Sequence, residues 1–194
     1  PFDLELSLSR LSVGVQRDPL EAPARGLHMA DWLVDAVDPA FPDRTPRLAV
    51  APTTGADLVL LPGAGSPAKR WPAARFAALA RILSGRAAIV QGPADEQAVA
   101  EVLVSGIEAE LWRDLALADL AGRLAASRLV VGNDSGITHL AAAAGAPTVA
   151  LYVSTDALLW GIRGERTRRL SGPDIAVEAV ASNGTAIAVK SPEC

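Results

Sequence analysis

The chain has 194 residues, 50% of them hydrophobic and 21% charged, and its 18 basic and 22 acidic side chains give a net charge of −4. This length suits one generous domain, and no segment approaches the roughly 18 apolar residues of a membrane span. The acidic balance argues against nucleic acid as a partner. The single cysteine, Cys194, excludes an internal disulfide or a cysteine-based metal site, which suits a reducing cytoplasm.

The N-terminal residues 1–8, PFDLELSL, alternate apolar and polar side chains as a strand does. No signal peptide is recognisable, and a chain rarely starts within a strand. We therefore interpret this chain as the C-terminal part of a longer protein. Residues 11–25 contain two prolines and predict a loop, so we assign residues 1–26 to an interdomain linker or to the remnant of a preceding domain.

A helix is predicted over residues 27–37, followed by a proline-rich span from residue 38 to 56. Beyond residue 57, short apolar runs alternate with amphipathic segments. The predicted strands are 58–62, 87–91, 109–112, 129–131 and 149–152, and the predicted helices are 72–83, 96–104, 117–126, 139–144 and 175–181. This alternation predicts an α/β fold with a Rossmann-like doubly wound parallel sheet.

Three polar loops follow strands of this sheet, at residues 63–70, 92–96 and 132–139. The carboxyl ends of parallel strands meet at one edge, where open α/β sheets bind their ligands. We therefore expect the three loops to form one site.

The first loop, GAGSPAKRWP, has the composition of a phosphate cradle. Gly63 and Gly65 let backbone amides approach a ligand closely, Ser66 adds a hydroxyl, and Lys69 adds a cation. Neither the Walker pattern nor Gly-x-Gly-x-x-Gly is present. The alternative is a solvated glycine-rich turn, and Trp71 is interpreted as a core anchor rather than a stacking platform.

The third loop, NDSGITH, combines a helix start with polar side chains. Asp134 or Ser135 can cap the helix, and the N–H groups of Ser135 and Gly136 can bind a phosphate oxygen. His139 lies one turn further along the same face. The alternatives are a plain N-cap and a core histidine.

The second loop, GPADE, offers Asp95 or Glu96 as a carboxylate for ribose hydroxyls. The alternative for either residue is an acidic first helical turn, which the helix dipole favours.

Together, LPGAGSPAKRWP, VQGPADE and VVGNDSGITHLAAAAGAPTVALY resemble the C-terminal domain of glycosyltransferase family 9, the heptosyltransferases of lipopolysaccharide core assembly. The resemblance covers about residues 27–170. It implies the C-terminal half of a GT-B architecture, with residues 27–194 as the nucleotide-sugar-binding domain. Two positions depart from the family pattern: Ile137 stands where the family often has proline, and Tyr152-Val153 stands where it usually has Phe-Gly.

The resemblance also implies roles for individual residues. Ser66 and Lys69 would meet the diphosphate, Asp134 would order its loop, and Glu96 would be the ribose candidate. The full set implied for the nucleotide-sugar site is Gly63, Ser66, Lys69, Glu96, Asp134, Ser135, Gly136 and His139.

The implied reaction is an inverting, metal-independent transfer of a sugar from an ADP-linked donor to a lipopolysaccharide-core acceptor. In the family, the catalytic base and the acceptor surface belong to the N-terminal domain, so we expect no catalytic residue in this chain and no activity from it alone. The implied location is the cytoplasm, with contact at the inner face of the membrane left open. Two rival functions are a non-catalytic nucleotide-sugar-binding module and another GT-B enzyme, such as a nucleotide-sugar 2-epimerase.

Overall fold

The computed structural model describes residues 26–189, except for the side chains of residues 36 and 37. The predicted N-terminal strand, the loop that follows it and Cys194 lie outside the described residues. The chain divides into two units, Pro1–Arg44 and Thr45–Cys194, each of which is described by itself.

The first unit contains helix α1, Met29–Val37, which begins two residues later than predicted. His28 caps this helix because its Nδ1 accepts a hydrogen bond from the N–H of Ala30 at 3.1 Å. Trp32 is buried, as expected for the apolar face of the helix. After the helix, Arg44 forms an ion pair of 2.7 Å with Asp35.

The second unit is built on one sheet of six parallel strands. The strands are β1 Leu58–Leu61, β2 Ala87–Gln91, β3 Ala109–Arg113, β4 Val130–Asn133, β5 Thr148–Tyr152 and β6 Thr167–Ser171. Their order across the sheet is β3-β2-β1-β4-β5-β6, the Rossmann order in which chain direction across the sheet reverses between β1 and β4. The predicted doubly wound α/β fold is confirmed.

Helices connect these strands. They are α2 Ala73–Leu83, α3 Glu96–Val104, α4 Leu117–Ala125, α5 Gly136–Ala143, the short α6 Ala157–Trp160 and the C-terminal α7 Val177–Ala188. Within the described range, none of the helices is both long and apolar enough to cross a bilayer.

The sheet is buried on both faces. In β1, Leu58 and Leu60 belong to one apolar cluster, whereas Val59 and Leu61 belong to the cluster on the other side. Every residue of β1 is therefore buried, which explains why the sequence shows a continuous apolar run rather than an alternating one.

Trp71 anchors the first of these clusters, as predicted. Its side chain is 1% exposed, and its ring meets that of Phe76 edge-on with centroids 5.0 Å apart. The indole N–H donates to the carbonyl of Ile175 at 3.0 Å, so the polar atom of this buried side chain has a partner.

Two elements differ from the predictions in physically clear ways. Strand β6 has the sequence TRRLS and lies at the sheet edge, where charged side chains replace the apolar run that marks a strand. Helix α7 continues to Ala188, well past the predicted end at residue 181. Its Gly184 does not end the helix but allows close packing, since a Cβ there would be 2.6 Å from Leu129.

Candidate functional site

The three polar loops meet at the carboxyl edge of the sheet, around the point between β1 and β4 where the strand order reverses. Lys69, in the loop after β1, donates a hydrogen bond from Nζ to Oδ2 of Asp134, in the loop after β4, at 2.9 Å. Asp95, in the loop after β2, lies directly against Gly63, where an added Cβ would overlap its carboxylate. The expectation that the loops converge is therefore confirmed.

Asp134 is the electrostatic centre of this edge. It is only 8% exposed, and Nε2 of His139 lies 3.8 Å from its Oδ1. Burial alone would raise the pKa of this carboxyl, but interactions with His139, Lys69 and Thr155 outweigh it and lower the pKa to about 2. Asp134 is therefore ionised at neutral pH and holds two basic side chains next to each other.

Ser135, not Asp134, is the N-cap of α5. Its side chain accepts from the N–H of Thr138 at 3.4 Å, and its hydroxyl lies 3.0 Å from that of Thr138. Gly136 begins the helix with open space around its Cα. This helix start leaves room for an anion beside the first backbone N–H groups, where the helix dipole attracts negative charge.

A pocket of about 210 Å³ opens beside this helix start. Asp95 and Ser135 supply the polar side chains of its lining, which is otherwise apolar or glycine. The lining residues are Leu61, Gly63, Ala64, Gly65, Val90, Ala94, Asp95, Ser135, Gly136 and Ile137.

The expected site residues are distributed unevenly around this pocket. Gly63, Ser135 and Gly136 line it. Ser66 precedes the short 3₁₀ turn Pro67–Lys69, and neither Ser66 nor Lys69 lines the pocket. Glu96 is exposed at the first turn of α3 and is not among the lining residues.

Asp95, the residue before Glu96, lines the pocket instead. Its Oδ2 accepts a hydrogen bond from the N–H of Gly92 at 3.0 Å, which fixes the carboxylate in the wall. Of the two carboxylates in this loop, Asp95 therefore has the geometry to face a ligand in the pocket.

A larger groove of about 490 Å³ adjoins the pocket, and both are lined by Gly136 and Ile137. The groove is mainly apolar, with His139 and Arg163 as its basic side chains. Its lining residues are Pro46, Leu117, Gly136, Ile137, His139, Leu140, Ala143 and Arg163.

Asn133 organises the site and was not identified from the sequence. It is fully buried at the end of β4, where its Nδ2 donates to the carbonyl of Pro62 at 2.8 Å. Its Oδ1 accepts from the backbone N–H of Trp71 at 2.9 Å. One side chain thus fixes both ends of the loop that carries Lys69. The sequence signal for this role is weak, because Asn133 is a single amide at the end of an otherwise apolar strand.

The family model of glycosyltransferase family 9 (heptosyltransferase) matches residues 37–181, which include all three loops. The chain belongs to glycosyltransferase family 9. Lipooligosaccharide heptosyltransferase 2 of Haemophilus influenzae is 36% identical to it over 127 residues, covering 59% of this chain and 35% of the relative. Lipopolysaccharide heptosyltransferase 2 of Escherichia coli is 42% identical over 101 residues, covering 47% of this chain and 29% of the relative. This family 9 chain thus spans about a third of the length of the curated relatives it matches.

Solved structures of the family have the same fold. Escherichia coli ADP-heptose lipopolysaccharide heptosyltransferase II superimposes with a TM-score of 0.70 at 24% identity, covering 80% of this chain and 57% of that one. A family 9 glycosyltransferase from Veillonella parvula gives a TM-score of 0.73 at 21% identity, covering 84% and 61%. Escherichia coli heptosyltransferase WaaC with ADP gives 0.63 at 25% identity, covering 71% and 46%. The Rossmann-like half of a GT-B architecture, predicted from the sequence, is confirmed.

Proposed function

We propose that this family 9 chain binds the nucleotide-sugar donor of a glycosyltransferase, and that the donor is an ADP-linked heptose. The observation that carries the proposal is the Lys69–Asp134 ion pair beside the open start of α5. It brings a cation and backbone N–H groups to one edge of the sheet, a combination suited to a diphosphate. Two observations support ADP-heptose as the donor: this chain is similar to heptosyltransferases, and the similar WaaC structure contains ADP.

In this proposal, the diphosphate lies at the start of α5. The N–H groups of Ser135 and Gly136 bind phosphate oxygens, and the ammonium of Lys69 is shared between phosphate and Asp134. The carboxylate of Asp134 does not contact the donor. Its role is to hold Lys69 and His139 in place, since it contacts both.

The ribose is assigned to the loop after β2. Glu96 remains the candidate that the family resemblance implies, and Asp95 is the carboxylate that lines the pocket. Gly63 and Gly65 also line this pocket, where their lack of side chains lets the donor approach the backbone.

The proposed reaction is an inverting, metal-independent transfer. A base takes the proton of a hydroxyl group on a lipopolysaccharide-core acceptor, the oxygen attacks the anomeric carbon, and ADP leaves. Negative charge develops on the leaving diphosphate, where Lys69, His139 and the α5 N-terminus stabilise it. We place this chemistry in the cytoplasm, at the inner face of the membrane.

The base and the acceptor surface are assigned to a part of the enzyme outside this chain. In the described site, the carboxylates of Asp134 and Asp95 already accept hydrogen bonds from Lys69 and Gly92. A general base must instead reach the acceptor proton within hydrogen-bond distance.

Calorimetry of the 194-residue chain against ADP, GDP, UDP and CDP tests donor binding. We expect ADP to bind about tenfold or more tightly than the other three, a difference of roughly 1.4 kcal/mol. ADP-heptose should bind at least as well as ADP. If none of the four diphosphates binds at 1 mM (about −4 kcal/mol), the donor-binding proposal is wrong.

The placement of the base has its own test. The chain is incubated with ADP-heptose and a heptose-free core acceptor, and ADP release is compared with that of a two-domain family member. We expect no transfer by this chain. Transfer at a comparable rate would show that the base lies within this chain, with Asp134 and His139 as the candidates.

A further inference from the structure

Tyr152, at the end of β5, is buried to 1% exposure and is the only tyrosine of the chain. Its hydroxyl accepts a hydrogen bond from the N–H of Ile162 at 2.8 Å. It also donates to the carbonyl of Trp160 at 3.4 Å. A single side chain therefore joins the start of the segment after β5 to backbone groups near its far end.

This segment, residues 153–163, carries groups to the candidate site. Thr155 is close enough to Asp134 to help lower the pKa of its carboxyl, although the buried Thr155 hydroxyl forms no hydrogen bond within the described residues, so the first part of the segment approaches the site. Ile162 is buried to 1% exposure, and the next residue, Arg163, lines the groove together with His139. The hydroxyl of Tyr152 thus holds the backbone directly before Arg163.

The hydroxyl keeps its proton over the whole physiological range. Burial raises the pKa of Tyr152 to about 12, and the negative charge of Asp134 acts in the same direction against the opposing effect of the Ile162 hydrogen bond. Both hydrogen bonds to the segment therefore persist at the pH at which the protein acts.

We propose that Arg163 contacts the anionic part of the nucleotide-sugar, and that the Tyr152 hydroxyl positions it for this contact. The inference rests on the proposed donor site, because the groove and the pocket meet at Gly136 and Ile137. A ligand whose diphosphate lies at the α5 start extends directly into the groove. A guanidinium can donate two parallel hydrogen bonds to a pair of phosphate oxygens, and His139 is the other basic side chain that lines the groove.

The Tyr152→Phe variant separates the positioning role of the hydroxyl from the packing of the aromatic ring in the core. Phenylalanine fills the same space, but it leaves the buried N–H of Ile162 without its partner. Amide hydrogen exchange of the unliganded protein should show the Ile162 N–H exchanging about fivefold faster, since a hydrogen bond contributes roughly 1 kcal/mol. Unchanged exchange at Ile162 would show that the hydroxyl does not hold the segment.

The binding consequence is measured with ADP and adenosine. Arg163→Gln should weaken ADP binding about tenfold, the amount expected for a charge-assisted hydrogen bond, and leave adenosine binding unchanged. Tyr152→Phe should weaken ADP binding about threefold in the wild-type background and have no effect in the Arg163→Gln background. Equal losses of ADP affinity in both backgrounds would overturn the positioning role.

Thr148→Val is the matched control. Thr148 lies in the same strand, is fully buried, and donates from its hydroxyl to the carbonyl of Ala146 at 2.9 Å, but at the opposite end of β5. The Thr148→Val variant should lower the free energy of unfolding, as Tyr152→Phe does, and leave the affinity for ADP unchanged. If the wild-type chain does not bind ADP, the donor proposal and the role of Arg163 in it both fail, while hydrogen exchange at Ile162 still decides whether Tyr152 holds the segment.

Discussion

Lys69 and Asp134 are 65 residues apart in the chain and 2.9 Å apart in space. Their hydrogen bond joins the loop after β1 to the loop after β4 at the centre of the sheet edge. Because Asp134 is only 8% exposed, the ammonium of Lys69 also compensates a charge that is poorly solvated. The cation assigned to the donor is therefore also a structural group.

Replacing Lys69 with methionine should affect binding and folding together. The affinity for ADP should fall by about 1.5–3 kcal/mol, the contribution of a hydrogen bond to a charged group. The free energy of unfolding should fall by about 1–3 kcal/mol, because a buried carboxylate loses one of its partners. Calorimetry and urea unfolding measure the two effects.

Arg113→Gln is the control for Lys69→Met. Arg113 ends β3 at the same edge of the sheet and is well exposed. Among the described residues its side chain forms a single ion pair, of 4.0 Å with Asp114, and does not contact Asp134. We expect little change in either quantity. An equal loss of ADP affinity in Arg113→Gln would mean that general charge, not the Lys69 contact, holds the ligand.

The stability of the chain should decline in acid because of Asp134. Its pKa is about 2 in the folded protein, below its ordinary value, so the unfolded chain takes up a proton first as the pH falls. The contribution, about 2 kcal/mol, is fully present above the ordinary pKa and is lost as the pH falls from about 4 to 2. Urea midpoints between pH 6 and pH 2 measure this decline.

Asp134→Asn should remove the loss of stability that protonation of Asp134 causes in acid, and Lys69→Met should reduce that loss. An Asp134→Asn variant with the same acid slope as wild type would contradict this assignment.

Gly63→Ala should displace the Asp95 carboxylate from the pocket wall. An added Cβ would overlap that carboxylate, and its movement would break the hydrogen bond from the N–H of Gly92. We expect a loss of about 1 kcal/mol in unfolding free energy. Because both changes act on the same contact, Gly63→Ala with Asp95→Ala should be no less stable than Asp95→Ala alone. Gly65→Ala, with open space at its Cα, should leave stability nearly unchanged.

Asn133→Ala should be among the most destabilising single changes at this edge. It leaves the carbonyl of Pro62 and the N–H of Trp71 without their side-chain partner, and both lie in a buried environment. The expected cost is about 2–4 kcal/mol. Asn183→Ala, which removes an exposed amide that donates to Ala179 within its own helix, should cost less than about 0.5 kcal/mol. Similar costs for both would show that the Asn133 bridge is not important for stability.

The elements with clear local signals were predictable. The bounds of β2 and α3 agree with the prediction to the residue, because glycine, proline and charged residues mark both ends of each. The meeting of the three loops followed from the parallel sheet, since only one edge carries the carboxyl ends of its strands. Such information is contained in short stretches of sequence and in general rules of topology.

The contacts between distant side chains were not predictable. Spacing placed Lys69 and Asp134 in neighbouring loops, but it does not tell whether the two side chains point at each other or at solvent. Asn133 and Tyr152 each end an apolar run, where one polar atom changes the hydrophobic pattern very little. Edge strand β6 was not predicted for a different reason. Its two arginines face solvent, so the segment lacks the apolar run that marks a buried strand.

The strand order has a consequence for how this chain is synthesised. Strand β1 lies at the middle of the finished sheet, between β2 and β4. As the ribosome produces the chain, β2 can pair with β1 early, whereas β4 emerges about seventy residues after β1. Until then, an entirely apolar strand has one free edge, which is the kind of surface that recruits other chains into aggregates. A nascent chain stalled before residue 130 would therefore keep this edge of β1 uncovered, and the strand that covers it, β4, leads directly into the loop that brings Asp134 to Lys69.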